Sequence, residues 1–251
     1  MPILVLDQLS KSFGALTVAD RISFSVDEGE ALGVIGPNGA GKTSLFNLVS
    51  GIFPPDSGSI TLDGQSLKGR KPHERARLGL SRTWQNLRLF PSLTVLDNLL
   101  VAPRQYAGES LLRLMFTPGA VREAEKKDRQ KALDILYRTG LAAVAERPAS
   151  DLTFGQQKLV GVARALMNDS RCLLLDEPMA GVEGQAYQTI QKVVRDIAAS
   201  GIAVCVVEHN VAFIRDLCDE GVFMFAGKVL ARGPVEALIA DPRLTELYFG
   251  T

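Results

Sequence analysis

One segment, residues 36–43, constrains the fold of this 251-residue chain more than any other feature. It reads Gly-Pro-Asn-Gly-Ala-Gly-Lys-Thr and fits G-x-x-x-x-G-K-[ST], a pattern that cradles phosphates when it joins a strand to a helix. The apolar run Ala31–Ile35 predicts the strand, and residues 42–49 predict the helix. Four fixed positions match by chance in a chain of this length about one time in a hundred. The sequence therefore predicts a phosphate-binding loop in an α/β fold.

The residue types of this phosphate loop suit its expected ligand. Glycines let the backbone curl so that N–H groups point at phosphate oxygens, and the helix N-terminus adds its positive dipole end. Lys42 is expected to reach the β- and γ-phosphates, and the Thr43 hydroxyl is expected to ligate Mg²⁺. The predicted nucleotide-binding residues are Gly36, Pro37, Asn38, Gly39, Ala40, Gly41, Lys42, Thr43 and Ser44.

A second apolar run ends in two adjacent carboxylates. Residues 172–175 are apolar, and Asp176, Glu177 and Pro178 follow them. Transfer of a phosphoryl group to water needs a carboxylate for the metal ion and a group that activates the water. Because neighbouring strand residues point in different directions, Asp176 can serve Mg²⁺ while Glu177 faces the water. Such a pair is weak evidence alone, but beside the phosphate loop it predicts nucleotide hydrolysis.

The first and last thirds of the chain have the sequence pattern of an α/β fold. Apolar runs between glycine, proline and aspartate predict early strands at residues 3–6, 22–26 and 59–62, besides Ala31–Ile35. Near the end, the runs 172–175 and 202–207 flank a helical pattern at Gln185–Ala199. A strand, a helix and a strand at this spacing form a βαβ unit, so we expect parallel pairing.

The middle of the chain reads as helical. Residues 94–166 carry this pattern, with Thr94 as a plausible N-cap and Gly140 as a C-cap signal. Charges of both signs are interspersed along residues 121–140, which is typical of the solvated face of a helix. Because the sheet pattern resumes afterwards, we interpret this region as an insertion rather than an independent domain.

Composition excludes several classes of protein. Lysine plus arginine and aspartate plus glutamate each number 28, so a zero net charge argues against nucleic acid as the main partner. The three cysteines form no metal-ligand spacing and predict buried free thiols. No apolar stretch approaches the ~18 residues of a membrane span, and no leader pattern is visible. We therefore expect a cytoplasmic protein that can still dock on a membrane protein.

The segment before the carboxylate strand resembles a motif of one family. Residues 152–158 read Leu-Thr-Phe-Gly-Gln-Gln-Lys and open a helical pattern. This segment resembles the signature of ABC transporter ATP-binding subunits, usually written LSGGQ, which other P-loop ATPases and GTPases lack. Thr153 keeps the hydroxyl of the usual serine, and Phe154 replaces the first glycine. The resemblance implies that residues of this segment contact ATP in trans, namely Thr153, Phe154, Gly155 and Gln156. A simple helix cap is the alternative.

The resemblance assigns roles to four more residues. Gln85 resembles the Q-loop glutamine, which would contact Mg²⁺ or the attacking water. His209 resembles the switch histidine, which contacts the γ-phosphate. Phe13 lies where the family places an aromatic ring under adenine, with a role in the core as the alternative. Glu183 stands where the D-loop usually has aspartate, so its role stays open.

The resemblance also implies a fold and an assembly. The expected fold is an α/β P-loop NTPase core with a mixed or parallel sheet, an N-terminal antiparallel β part and the helical insertion. It would form one ABC ATP-binding domain over residues 1–251, with a short helical tail at 234–251. Two chains would pack head to tail around ATP and Mg²⁺, each phosphate loop closed by the other's signature segment. The implied catalytic residues are Glu177, His209, Gln85 and Lys42, and the implied metal ligands are Thr43, Gln85 and Asp176.

The expected partners follow from the same resemblance. They are a second ATPase subunit, identical or a paralogue, two transmembrane permease subunits and, indirectly, an exported substrate-binding protein. The chain would then sit peripherally on the cytoplasmic face of the plasma membrane.

Within the family, the stretches RTWQNLRLFPSLTVLDNLLVA and GPVEALIADPRLTELYFG look like the ATPases of branched-chain amino-acid importers. ATPases of urea or amide importers and of lipopolysaccharide export look similar over the same segments. A soluble ABC ATPase of translation or repair is a rival from another class, but such chains usually carry a second cassette or a long coiled coil. A P-loop kinase or GTPase is a further rival, although no NKxD-like segment is present. We expect an importer ATPase for branched-chain or other hydrophobic amino acids.

Overall fold

The computed structural model describes residues 1–84, 88–102 and 118–249. They fall into two units. The first consists of Met1–Gln85, Ser170–Ala180 and Gln191–Thr251, and the second of Asn86–Asp169 and Gly181–Ile190. The helical region expected at residues 94–166 lies within the bounds of the second unit.

The strands of the described residues belong to two sheets of the first unit. In chain order they are β1 Pro2–Phe13, β2 Leu16–Asp27, β3 Ala31–Ile35, β4 Ser57–Leu62, β5 Gln65–Ser66, β6 Leu80–Arg82, β7 Cys172–Asp176, β8 Ala203–Val207, β9 Glu220–Phe225 and β10 Lys228–Pro234. One sheet has the order β2-β1-β4-β5, and the other has the order β10-β9-β3-β8-β7-β6. The predicted α/β architecture with an N-terminal antiparallel part is confirmed.

The helices have the following bounds. They are α1 Lys42–Ser50, α2 Pro72–Arg77, α3 Val95–Leu100, α4 Pro118–Arg138, α5 Phe154–Leu166, α6 Gln185–Ala199, α7 Val211–Leu217, α8 Val235–Ala240 and α9 Pro242–Phe249. Among the described residues, none of these helices combines the length and the apolar character needed to cross a membrane.

The six-stranded sheet is parallel at its centre. Strands β7 and β8 pair in parallel with Cys172 opposite Ala203, and β3 pairs in parallel with both β8 and β9. Helix α6 spans Gln185–Ala199, as the sequence predicts, and connects β7 to β8. All five residues of β7 and of β8 are buried, which explains their uninterrupted apolar sequences.

The antiparallel strands are longer than the sequence predicts. Strands β1 and β2 run for 12 residues each, whereas the apolar pattern indicates only residues 3–6 and 22–26. Beyond those short runs, polar side chains face solvent between buried ones such as Leu9 and Ala19. A period of two with one wet face does not produce a continuous apolar run, so the pattern underestimates such strands.

The ends of two helices follow the predicted capping residues. The Thr94 hydroxyl accepts a hydrogen bond from the Asp97 amide, 3.0 Å away, and so caps α3. Gly140 follows α4 with a φ of +71°, a conformation that suits glycine after a helix. Both signals are local in sequence, which is why they could be identified without tertiary contacts.

The cysteines are buried and free, as predicted from their apolar surroundings. Burial raises the pKa of Cys172 and of Cys218 to about 12, since the thiolate would lose its hydration. The thiols therefore act as small apolar side chains of the core.

Candidate nucleotide site

Three parallel strands of the first unit place the candidate residues at one edge of the sheet. Strand β3 leads into the phosphate loop at Gly36, β7 ends at Asp176, and β8 is followed closely by His209. Because the strands are parallel neighbours in the order β3-β8-β7, their carboxyl ends meet at the same edge. Ligands of open α/β sheets bind outside this edge.

The phosphate loop needs glycine at two positions for steric reasons. At Gly36 a Cβ atom would lie 2.1 Å from the Met224 carbonyl oxygen. At Gly41, which has a φ of +100°, a Cβ atom would lie 2.5 Å from the Val18 carbonyl oxygen. Helix α1 begins immediately afterwards, so its N-terminal amides lie beside the loop.

The Lys42 side chain folds back onto the first residues of the phosphate loop. Its side chain is buried, and Nζ donates to the carbonyl oxygens of Gly36 at 2.5 Å and Pro37 at 2.9 Å. Burial lowers the pKa of Lys42, whereas the nearby carboxylates of Glu177 and Asp176 oppose this decrease. The site thus holds a desolvated ammonium group close to two carboxylates.

Asp176 is paired with Arg82, a residue to which no sequence motif points. Arg82 Nη2 lies 2.7 Å from Asp176 Oδ2, and both side chains are about nineteen-twentieths buried. Arg82 Nη1 also donates to Asn47 Oδ1 and Ser50 Oγ on α1, at 2.8 and 2.9 Å. Arg82 therefore ties the carboxylate strand to the helix that follows the phosphate loop.

Replacing Arg82 by leucine should lower the stability of the chain by about 3–5 kcal/mol, because it leaves the buried Asp176 carboxylate without its partner. Urea unfolding of the two proteins measures this difference. Arg171→Leu is the matched control, since the ion pair between Arg171 and Asp63 is about half exposed and should contribute less than about 1 kcal/mol. Equal losses in the two variants would contradict the assignment of a buried pair.

Glu177 and His209 form a second pair at this edge. His209 Nε2 donates to Glu177 Oε1 over 2.8 Å. The Glu177 side chain is mostly buried, whereas that of His209 is 42% exposed. Glu177 has a φ of +49°, a left-handed conformation that is costly for a residue with a Cβ atom. Such strain is concentrated at functional sites, and here it falls on the residue that directly follows β7.

The backbone amide and carbonyl of His209 are both held by side chains outside the predicted site, those of Glu208 and Tyr248. The carboxylate of Glu208 accepts the His209 amide at 3.0 Å, and the Tyr248 hydroxyl donates to the His209 carbonyl at 2.9 Å. Burial raises the pKa of Glu208, and three backbone amide donors oppose the rise by stabilising the carboxylate. A glutamate directly after the fully apolar strand β8 is the one sequence signal for such a role.

Phe13 offers an aromatic surface at the end of β1. Its side chain is 49% exposed, which does not fit a purely core role. The ring meets that of Phe53 edge to face, with centroids 5.0 Å apart, and Lys11 Nζ lies 5.2 Å from its centroid. A half-exposed ring held in this way could stack on a planar ligand.

In the second unit, the signature segment forms the start of α5. The Thr153 hydroxyl accepts from the Gln156 amide at 3.3 Å, and the Gln156 side chain accepts from the Thr153 amide at 3.0 Å. This reciprocal capping box fixes the first turn. Thr153 and Phe154 are exposed, so this helix N-terminus is open to another molecule. Gly155 is buried, and a Cβ atom there would lie 2.6 Å from the Cβ of Ala186.

Of the two remaining candidate residues, Gln85 and Glu183, the structure describes one. Gln85 lies outside the residues that the structure describes. Glu183 is described and is exposed. Within the described ranges, no three histidine, cysteine or carboxylate side chains cluster in a way that would hold a metal ion. Of the predicted metal ligands that the structure describes, Thr43 is an exposed residue and Asp176 is the buried carboxylate paired with Arg82.

Comparison with known proteins identifies the family. Residues 19–180 match the ABC transporter family. The high-affinity branched-chain amino acid transport ATP-binding protein BraF of Pseudomonas aeruginosa is 34% identical over 250 residues, which cover 99% of this chain and 98% of that protein. The lipopolysaccharide export system ATP-binding protein LptB of Haemophilus influenzae is 31% identical over 250 residues, covering 100% of this chain and 98% of that protein.

A solved structure agrees in fold over the whole length. The crystal structure of an ATP-binding cassette of an ABC transporter in its ADP conformation superimposes with a TM-score of 0.85 and 30% sequence identity, covering 100% of both chains. The phosphate loop also lies within the part of the chain that matches the family. This chain therefore belongs to the ABC transporter family, as an ATP-binding subunit that hydrolyses ATP.

Proposed function

We propose that this chain drives an importer of branched-chain or other hydrophobic amino acids. The observation that carries the proposal is the similarity to BraF, which extends over nearly the full length of both proteins. The matched part includes the closing segment and the helical region, so the likeness is not confined to the nucleotide-binding motifs.

The residues at the sheet edge have distinct roles in the proposed reaction. Glu177 accepts a proton from the attacking water, and His209, hydrogen-bonded to Glu177, holds its carboxylate and contacts the γ-phosphate. Lys42 and the N-terminus of α1 bind the phosphates. Phe13 supports adenine. Hydrolysis then depends on positioning and electrostatic stabilisation, as expected for phosphoryl transfer.

The available donors suit Mg²⁺ that arrives with the nucleotide. This ion takes one or two protein oxygens and completes its shell with phosphate oxygens and water, so a set of three acidic ligands is not required. Thr43 and Asp176 would supply the two oxygens, with Gln85 as a third candidate ligand. When bound, Mg²⁺ neutralises charge on the phosphates.

Two chains would complete two sites. Each chain contributes one phosphate loop and one signature segment, and the exposed residues Thr153 and Phe154 can meet a neighbour. In the proposed dimer, the segment with Thr153, Phe154, Gly155 and Gln156 closes the partner's loop over ATP. Hydrolysis and loss of phosphate then open the dimer. The second chain is an identical copy or a paralogue.

The proposed partners are two transmembrane permease subunits and, through them, an exported substrate-binding protein. The chain would lie at the cytoplasmic face of the membrane and convert dimer closure into alternating access. Nucleic acid is not a partner in this proposal, in line with the zero net charge.

Uptake of labelled leucine by cells that carry the Lys42→Ala chain as their sole copy tests the proposed cargo. Leucine, isoleucine and valine uptake should be lost, because closure of the dimer requires bound ATP, whereas urea uptake should continue. A tagged chain should also copurify with polytopic membrane proteins.

Other outcomes point to the alternatives. Normal leucine uptake with a defect in lipopolysaccharide transport would favour an exporter role like that of LptB, whose similarity to this chain also spans its length. Loss of urea uptake would favour a urea or amide importer. A chain that copurifies with no membrane protein would favour a soluble ABC ATPase.

A further inference from the structure

The side chain of Glu208 bridges two loops at the sheet edge. Its Oε1 atom accepts the amide of Met179, 2.6 Å away, in the loop that follows β7. Its Oε2 atom accepts the amides of His209 at 3.0 Å and Asn210 at 3.4 Å, in the loop that follows β8. One carboxylate thus connects two loops that are about thirty residues apart in sequence.

Because the Glu208 carboxylate is buried, it destabilises the protein unless all its hydrogen bonds are formed. Glu208 is only 4% exposed, and an ionisable side chain removed from water is strongly destabilising when it lacks hydrogen-bond partners. The two oxygens divide their three contacts between two loops, so neither loop can move away without breaking a hydrogen bond. Met179 is also buried, which leaves its amide no access to water as a substitute partner.

The bridge lies next to the pair formed by Glu177 and His209. Met179 follows Glu177 by two residues, and His209 directly follows Glu208. The 2.8 Å contact between the Glu177 and His209 side chains therefore spans the same two loops as the Glu208 bridge. Fixing the loops relative to each other fixes the relation between these side chains.

We propose that Glu208 is a positioning residue that keeps Glu177 and His209 in hydrogen-bond contact during ATP hydrolysis. Its carboxylate accepts backbone amides of both loops and acts through them. The inference rests on the roles proposed for Glu177 and His209.

Two substitutions break the bridge in different ways. Glu208→Gln keeps the length of the side chain but has a single acceptor oxygen, so its amide group would face the N–H donors of one loop. Glu208→Asp keeps both acceptor oxygens but is one methylene shorter, so it can cap its own loop without reaching Met179. If Glu208 only stabilised the turn of its own loop, the Glu208→Asp substitution would be well tolerated, because aspartate accepts hydrogen bonds from amides two residues ahead.

The experiment measures kcat and KM for ATP, nucleotide Kd and thermal unfolding for both variants. We expect kcat to fall about tenfold in each, with Kd changed less than about twofold, because small misplacements of catalytic groups affect the reaction more than binding. Glu30→Gln is the matched control. Glu30 is a mostly buried glutamate that accepts the Asp27 amide at 2.6 Å, and it lies just before β3, at the opposite end of that strand from the phosphate loop. Its replacement should leave kcat unchanged.

A double-mutant comparison separates positioning from general destabilisation. If Glu208 acts through His209, the kcat loss caused by Glu208→Gln should disappear in the His209→Ala background. An equal loss of kcat in both backgrounds would overturn this inference but not the role proposed for His209. Normal kcat in folded Glu208→Asp and Glu208→Gln proteins, together with slow turnover by the His209→Ala protein, would do the same. Full turnover in His209→Ala would contradict the role proposed for His209 and the inference with it.

Discussion

ATP turnover should fall by about 100-fold or more when Glu177 is replaced by glutamine, because an amide cannot accept the proton of the attacking water. The substitution is nearly isosteric. The side-chain oxygen of glutamine can still accept the hydrogen bond from His209 Nε2, which spans 2.8 Å in the structure. ATP binding should therefore persist, and a dimer held by unhydrolysed ATP should accumulate. Phosphate release and size-exclusion chromatography with ATP or ADP measure the two effects.

The control for this experiment is a glutamate outside the site. Glu30→Gln removes the charge of a carboxylate that is 18% exposed and should leave phosphate release unchanged. Normal phosphate release by Glu177→Gln would mean that another group activates the water. Loss of ATP binding together with turnover would mean instead that Glu177 mainly supports the fold of the phosphate loop.

The parts of the site that could be predicted from sequence are those whose residues determine their own conformation. Glycines at positions with no room for a Cβ atom, followed by a helix that begins at Lys42, specify the phosphate loop within eight residues. The carboxylate strand is equally local, since a fully buried strand must be apolar until it reaches the edge at Asp176. Both motifs are therefore visible without any knowledge of tertiary contacts.

The supporting residues could not be predicted because their roles depend on distant partners. Arg82 meets Asp176 across 94 positions of sequence, and nothing near Arg82 indicates a buried carboxylate. Tyr248 reaches His209 from the last described helix, 39 residues away. Propensity and periodicity describe neighbours along the chain, whereas these contacts arise only when the sheet order is known.

Phe154 is a departure from the family pattern that changes the surface at the start of α5. The family pattern has glycine at this position, and the ring here is 47% exposed at the start of α5, with Lys158 Nζ 5.5 Å from its centroid. The capping box of Thr153 and Gln156 is intact beside it. The helix N-terminus thus keeps its ability to face an anion, while the aromatic ring adds an apolar surface to the face proposed for the second chain.

Replacing Lys42 by alanine should weaken nucleotide binding itself, in contrast to the change at Glu177. The side chain is buried, so its ammonium group would meet phosphate with little competition from water. Removing one partner of such a charge pair costs about 2–5 kcal/mol, which corresponds to at least about a 30-fold increase in Kd for ATP. Titration of the purified chain with ATP in the presence of Mg²⁺ measures this change.

The control for the Lys42 experiment is an exposed lysine outside the site. Lys192, on α6, is 76% exposed and pairs with Asp196, so Lys192→Ala should leave the ATP affinity unchanged. Lys42 also donates to the carbonyls of Gly36 and Pro37, and thermal unfolding without nucleotide therefore has to show that the Lys42→Ala chain is folded at the titration temperature. Unchanged affinity in a folded Lys42→Ala chain would contradict the assignment of residues 36–43 as a triphosphate site, because a loop that binds ATP equally well without its buried cation is not recognising the phosphates.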